Sequence, residues 1–149
     1  MVKVRIATSD DRFDIIRLLN NFHMAGEFDF PFDSAWTSMH ISNCIASKNG
    51  IIFVAHEDDE MVGVISGVCL ASAFRPEQTC MEQYIWIEPK SRGNLHKLLV
   101  HALETWAKTH NCVTAQMSSQ EKMRPNLVSR LFRMMGYYPI ETVHSKSLV

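Results

Sequence analysis

The segment TCMEQYIWIEP (79–89) ends in a proline and leads through SRGN into LHKLLVHALETWAKTH, after which CVTAQMSS (112–119) follows. The two flanking runs carry strand-forming residues. The middle places Leu95, Leu98, Leu99, Ala102 and Trp106 on one helical stripe. Strand, helix over 91–110, strand is a parallel crossover, which is right-handed in nearly all cases. It forces the rest of the chain to supply a sheet on which the helix can lie. Ligands favour the carboxyl ends of such strands, here the turn that opens at Ser91.

The remaining elements fit around that unit. VKVRIA (2–7) alternates as a strand, and Ser9 or Asp10 caps a helix over roughly 11–22 with Phe13, Ile16, Leu18 and Leu19 on its apolar face. Residues 23–34 form a loop broken by Gly26 and Pro31, and a second helix covers 34–47. Asn49-Gly50 turns the chain into strand 51–57, and Asp58-Asp59-Glu60 turns it back into strand 61–72. Pro125 starts a short last helix that Gly136 ends, and YYPIETVHSKSLV closes with one or two strands. The order β-α-α-β-β-β-α-β-α-β describes a mixed sheet with helices on both faces, in one domain spanning 1–149.

Composition narrows the function. With 149 residues, 46% apolar and 21% charged, the chain builds an ordinary globular core. A net charge of -1 argues against nucleic acid as a partner. No apolar run approaches the ~18 residues that cross a bilayer, and the N-terminal MVKVRIATSDD has no apolar leader segment, so a cytoplasmic protein is expected. Cys44, Cys69, Cys80 and Cys112 lack metal-clip spacing, and His96 and His101 do not share a helix face, so no metal site is expected.

The turn at residue 91 carries the chemistry. The first amides of a helix lack intrahelical acceptors, and its dipole adds about half a positive charge there. Ser91 is placed to cap, Lys90, Arg92 and Lys97 add cations, and Gly93 lets a ligand approach the backbone. A pyrophosphate suits such a turn. So does the plainer alternative of a strand-to-helix turn with a capping serine.

The whole chain resembles the GCN5-related N-acetyltransferase (GNAT) family. VRIATSDDRFDIIRLL is similar to the family's opening strand and helix, IIFVAHEDDEMVGVISG to its central hairpin, and MEQYIWIEPKSRGN with the helix ending ETWAKTHNC to its donor-binding unit. SRLFRMMGYYPIETVHSKSL resembles its final helix, glycine-aromatic pair and last strand. The resemblance implies a mostly antiparallel sheet with a V-shaped splay between the fourth and fifth strands, where acetyl-CoA lies. Its pantetheine arm would pair with the backbone near Ile85, Trp86 and Ile87, and its pyrophosphate would take the turn formed by Arg92, Gly93, Asn94, Leu95, His96 and Lys97. The acetyl group would pass directly to an amine on a small molecule or peptide, and relatives are often homodimers. Two departures stand out. Leu95 and Lys97 occupy positions where the family has small residues, and Phe132 occupies that of a tyrosine acid. They leave open a weak or non-catalytic module that binds acyl-CoA or protein, and a protein or aminoacyl-tRNA acetyltransferase is a further alternative.

Acetyl transfer needs a base for the incoming ammonium and stabilisation of the departing thiolate. Glu82 sits on a strand with Cys80, Tyr84 and Trp86 on its face by period-two alternation, an environment that raises a carboxyl pKa and suits a base. The alternative is a partly exposed strand glutamate. Tyr137, with Tyr138 and Ser129 behind it, is the candidate acid. The loop GEFDFPFD offers Glu27 and Asp29 to a cationic acceptor, while its phenylalanines pin it to the core.

Overall fold

All residues, 1–149, are described by the computed structural model. Five strands form one sheet in chain order: β1 (Val2–Ile6), β2 (Gly50–Glu57), β3 (Glu60–Ala71), β4 (Gln78–Ile87) and β5 (Cys112–Gln116). Neighbours run antiparallel except β4 and β5, which are parallel. Helices α1 (Arg12–Gly26) and α2 (Ser34–Ala46) precede β2, α3 (Asn94–Lys108) makes the crossover, and α4 (Pro125–Met134) follows β5. The expected mixed sheet and the element order as far as α4 are therefore present. Pro125 opens α4, and Gly136 follows its end at φ 92°.

Helices cover both faces. One core joins Ile15, Leu18 and Ile41 of α1 and α2 to Val54, Val64 and Trp86 of the sheet. The other joins Leu99 and Leu103 of α3 and Phe132 of α4 to Phe53, Val62 and Ile65. Residues Met61 to Gly67 of β3 are all buried, as a strand covered on both faces must be. Gly67 sets how closely α3 lies on the sheet. A Cβ there would fall 2.6 Å from Leu103 Cδ1, so its absence lets the helix descend and fixes where its N-terminus lies. At the opposite edge Arg5 clamps Asp11 with two hydrogen bonds of 2.7 and 2.8 Å, and the Thr8 amide donates to the same carboxylate at 2.7 Å. The Arg5 guanidinium holds the Asp11 carboxyl down at about 2.

Four expectations change. First, α1 continues through residues 23–26, ending only where Glu27 turns left-handed at φ 48°. Second, Phe13 is 80% exposed. It lies two residues from buried Ile15, about 200° around the helix, beside the Arg12 guanidinium. Third, the stripe of α3 is Leu95, Leu99, Val100, Leu103 and Ala107, which leaves Leu98 40% exposed and Trp106 against His110. Fourth, the closing strands are absent. Residues 138–149 are all exposed, and their main chain makes no hydrogen bond to any other backbone group. Strand propensity yields a strand only against a neighbouring edge, and this tail meets none.

Candidate active site

β4 is paired on both sides for only part of its length. Gln78, Thr79, Cys80 and Met81 pair with β5, and the ladder ends at Met81 opposite Gln116. Beyond it the two strands part into a wedge. On its other side β4 stays paired with β3 up to Ile87. The Glu88 amide donates to the Val62 carbonyl at 2.8 Å, so by antiparallel alternation Trp86 and Tyr84 also face β3. Ile85 and Ile87 then direct their main-chain groups toward the wedge, although the Ile87 carbonyl is taken by Arg92 Nε at 3.1 Å.

A bulge marks the apex. Gly67 pairs with Glu82 and Ser66 with Tyr84, leaving Gln83 as an extra residue outside the ladder. It corrects the expected common face for Cys80, Glu82, Tyr84 and Trp86. Cys80 belongs to the α3 core, while Tyr84 and Trp86 belong to the core under α1 and α2. The added residue reverses the alternation.

Glu82 is the first residue past the last β4–β5 pair. Ser118, just beyond β5, donates its hydroxyl to Glu82 Oε2 at 3.3 Å. Burial pushes the Glu82 carboxyl up to about 7, against the opposing pull of Ser118. On the α2 side of the bulge lies a cavity of about 380 Å³ lined by Trp36, His40, Asn43 and Gln83. There His40 Nε2 lies 3.2 Å from the Tyr84 hydroxyl, and burial lowers the His40 pKa. Ser66 donates to Gln83 Oε1 at 2.9 Å.

The turn after β4 differs from a simple capped helix. Pro89 opens a 3-10 turn over Pro89–Ser91, so α3 begins at Asn94 with Gly93 as its N-cap. Ser91 therefore does not cap α3, and its hydroxyl donates to Glu57 Oε2 at 2.6 Å. Gly93 adopts φ 138° with nothing within 4 Å of where a Cβ would be. Arg92, Gly93, Asn94 and Lys97 are exposed, and the Arg92 guanidinium lies 4.9 Å over the Trp86 ring. Two buried nitrogens at these elements, Trp86 Nε1 and His96 Nε2, have no hydrogen-bond partner.

The wedge between parallel strands and the open helix N-terminus at its end lie within residues 14–137, which match one family model, described as the acetyltransferase (GNAT) family. This chain belongs to that family. It is an acyltransferase. No curated protein matches it. Among solved structures it is similar to an aminoglycoside acetyltransferase from an uncultured soil metagenomic sample, crystallised with trehalose (TM-score 0.79, 15% identity, covering 99% of this chain and 96% of that one). It is similar to glucosamine-6-phosphate N-acetyltransferase of Arabidopsis thaliana (TM-score 0.80, 14%, covering 100% and 99%). A predicted acetyltransferase with acetyl-CoA from Clostridium acetobutylicum is a third (TM-score 0.82, 14%, covering 99% and 97%). At these identities the likeness is one of fold.

The two departures from the GNAT pattern look different in three dimensions. Leu95 is 4% exposed and points into the α3 core, so its side chain does not cover the turn. Lys97 is exposed. Phe132 is 6% exposed and packs on the rings of His96 and Tyr137 at 5.1 and 5.6 Å. Tyr137 donates its hydroxyl to Glu104 Oε2 at 3.1 Å. Burial and that carboxylate raise the Tyr137 pKa, and no contact joins Tyr137 to Glu82.

In the GEFDFPFD loop, Phe28 and Phe30 stack at 5.4 Å, and His23 lies within 5.7 Å of Phe28, Phe30 and Phe32. Asp33 caps α2, accepting from the Trp36 amide at 2.9 Å. Glu27 and Asp29 are exposed, and Lys122 from the loop after β5 reaches Glu27 at 3.8 Å. Ser118, Gln83 and His40 join the site only through contacts that span 36, 17 and 44 residues of chain. A bulge whose extra residue, Gln83, is not a glycine and partners on distant elements leave no local signal in β4.

Proposed function

We propose that this protein transfers the acetyl group of acetyl-CoA directly to a primary amine on a small molecule or peptide, with Glu82 taking the proton of the incoming ammonium. The position of Glu82 carries the reading: it is the first residue of β4 inside the wedge, with a carboxyl held near neutrality. A carboxyl at about 7 is a better base at neutral pH than one at its ordinary value, because it holds the proton it takes. The fit of the donor is supported by open space at Gly93, exposed cations at Arg92 and Lys97, and unpaired amides in the first turn of α3. The outward main chain of Ile85 suits an amide-bearing arm, and the unpaired Gln83 of the bulge lies where the thioester would arrive.

Tyr137 would donate a hydrogen bond to the departing thiolate only by turning its one hydroxyl proton away from Glu104, and it is not the source of the thiolate's proton. A phenolate beside Glu104 is disfavoured, so the proton comes from water. Exposed Glu27 and Asp29 attract a cationic acceptor. Self-association into a homodimer has support in the unpaired tail 138–149 and in β5, whose outer edge has no neighbour.

The test is calorimetric titration with acetyl-CoA beside plain CoA, followed by a screen of amines read as thiol release. One-site binding in the micromolar range and acceptor-dependent release are expected. Absence of binding at millimolar donor would overturn the reading and favour a non-catalytic module, for which buried Phe132 in place of a tyrosine is the motive.

A further inference from the structure

Three of the four cysteines meet at the closed end of the wedge, where β4 is paired on both sides. Cys69 of β3 pairs directly with Cys80 of β4. Cys112 opens β5 opposite Gln78, and its Sγ lies 3.1 Å from Cys69 Sγ, across the intervening strand. That is the separation of two sulfurs in direct contact, on residues 43 apart in sequence. Cys69 is 5% and Cys80 0% exposed, whereas Cys112 is partly exposed. The acetyl-transfer reading uses none of them.

We infer that Cys69 and Cys112 form an oxidation site, in which a peroxide converts the pair to a disulfide that ties β5 to β3 over β4. Of the three, Cys112 alone meets solvent and so meets the oxidant first. Its sulfur attacks the peroxide O–O bond, becoming a sulfenic acid as one water leaves. The Cys69 sulfur then displaces the hydroxyl from Cys112, forming the S–S bond and releasing a second water. Two thiols are oxidised by two electrons and one peroxide is reduced to two waters. Burial holds the Cys69 and Cys80 thiols up at about 12, so neither competes with Cys112 as the first target of the oxidant. Cys69 is the resolving thiol because it, and not Cys80, touches the Cys112 sulfur. The inference does not depend on what the wedge binds.

The test treats the folded full-length protein with hydrogen peroxide and maps peptides without reduction. A Cys69–Cys112 linked peptide is expected. It should be lost in Cys69→Ser and Cys112→Ser, retained in Cys80→Ser, and reversed by dithiothreitol. The oxidised protein should melt ~10 °C higher, because the bridge closes a long loop of the unfolded chain. A Cys69–Cys80 linkage would overturn the assignment, as would Cys112 oxidised to sulfinic acid with no linked peptide in protein whose circular dichroism is native. If a serine variant fails to fold, the wild-type peptide map still decides between the two pairings.

Discussion

The two halves of β4 are built from similar residues and meet opposite fates. Gln78 to Met81 are paired on both edges, and from Glu82 to Ile87 the strand is paired on one. In the first half both edges are taken by strands, and its side chains pack or, as Gln78 and Thr79 do, hydrogen-bond to neighbouring segments. In the second half Ile85 keeps its outward main-chain groups free of β5, a bulge displaces Gln83, and a carboxyl is left where burial raises its pKa. Each is a local loss of stability, and each creates something a substrate can use. The β2–β3 ladder has a bulge of its own, with Val62 the extra residue, but that residue is fully buried in the α3 core, and the buried charge beside β1, Asp11 in the turn before α1, is clamped by Arg5.

The contrast is broken hardest at its apex. Glu82→Gln removes the base while keeping shape, and turnover should fall ~10³-fold with donor affinity within about twofold. Full turnover in that variant would remove Glu82 from the reaction. With Glu82 as base, wild-type kcat/KM should fall tenfold per pH unit below about pH 7, where the carboxylate is protonated, and level off above it. The next effect lies at the end of the wedge. Arg92→Glu places a negative charge beside the helix N-terminus, and calorimetry should show acetyl-CoA binding weakened ~30-fold. Unchanged affinity would mean that the pyrophosphate lies elsewhere.

How much of this could be seen in the sequence follows the range of the interactions. The crossover, the hairpin at Asp58-Asp59, the Pro125 start and the Gly136 stop are set by residues within a few positions of one another, and all were legible. Glu82 was legible as an acid in an apolar strand. Its environment was not, because period-two counting runs straight through the bulge and puts Cys80 beside Trp86, on opposite faces in the structure. The bulge arises from the register between β3 and β4, which no residue of β4 announces. Leu95 was legible as part of the helix's core stripe, and it is buried there. What spacing from Arg92 did not reveal is that this leaves the turn clear of its side chain, because the 3-10 turn over Pro89–Ser91 delays the start of α3 to Asn94. The tail reads as strand from its composition and fails to be one for want of an edge.

The paired side sharpens the comparison from the other direction. Asp11→Ala should cost ~2 kcal/mol and lower Tm by ~6 °C, with acetyl-CoA affinity unchanged, because the clamp holds β1 to α1 and touches nothing in the wedge. The Asp11 carboxyl is depressed in the folded state, so its stabilisation is full above about pH 4 and is lost as pH falls toward 2. A Tm difference between wild type and variant that persisted at pH 2 would contradict this.

The smallest effect is the most telling, because its sign is opposite. Glu82 has a folded pKa raised to about 7, so the folded protein holds a proton there that the unfolded chain releases near its ordinary value. Its ionisation therefore costs stability as pH rises from about 4.5 through 7. Glutamine cannot ionise and avoids that cost. Glu82→Gln should thus be more stable than wild type by ~1–2 kcal/mol at pH 8, an amount discounted for the partial exposure of the side chain, and no more stable at pH 4. Urea titrations at the two pH values measure the difference. A variant that is inactive and stabilised only at high pH would show that the same partly desolvated carboxylate is a burden to the fold and an asset to the reaction. A variant destabilised at both would make Glu82 a packing residue held by Ser118, and the two halves of β4 would no longer differ in kind.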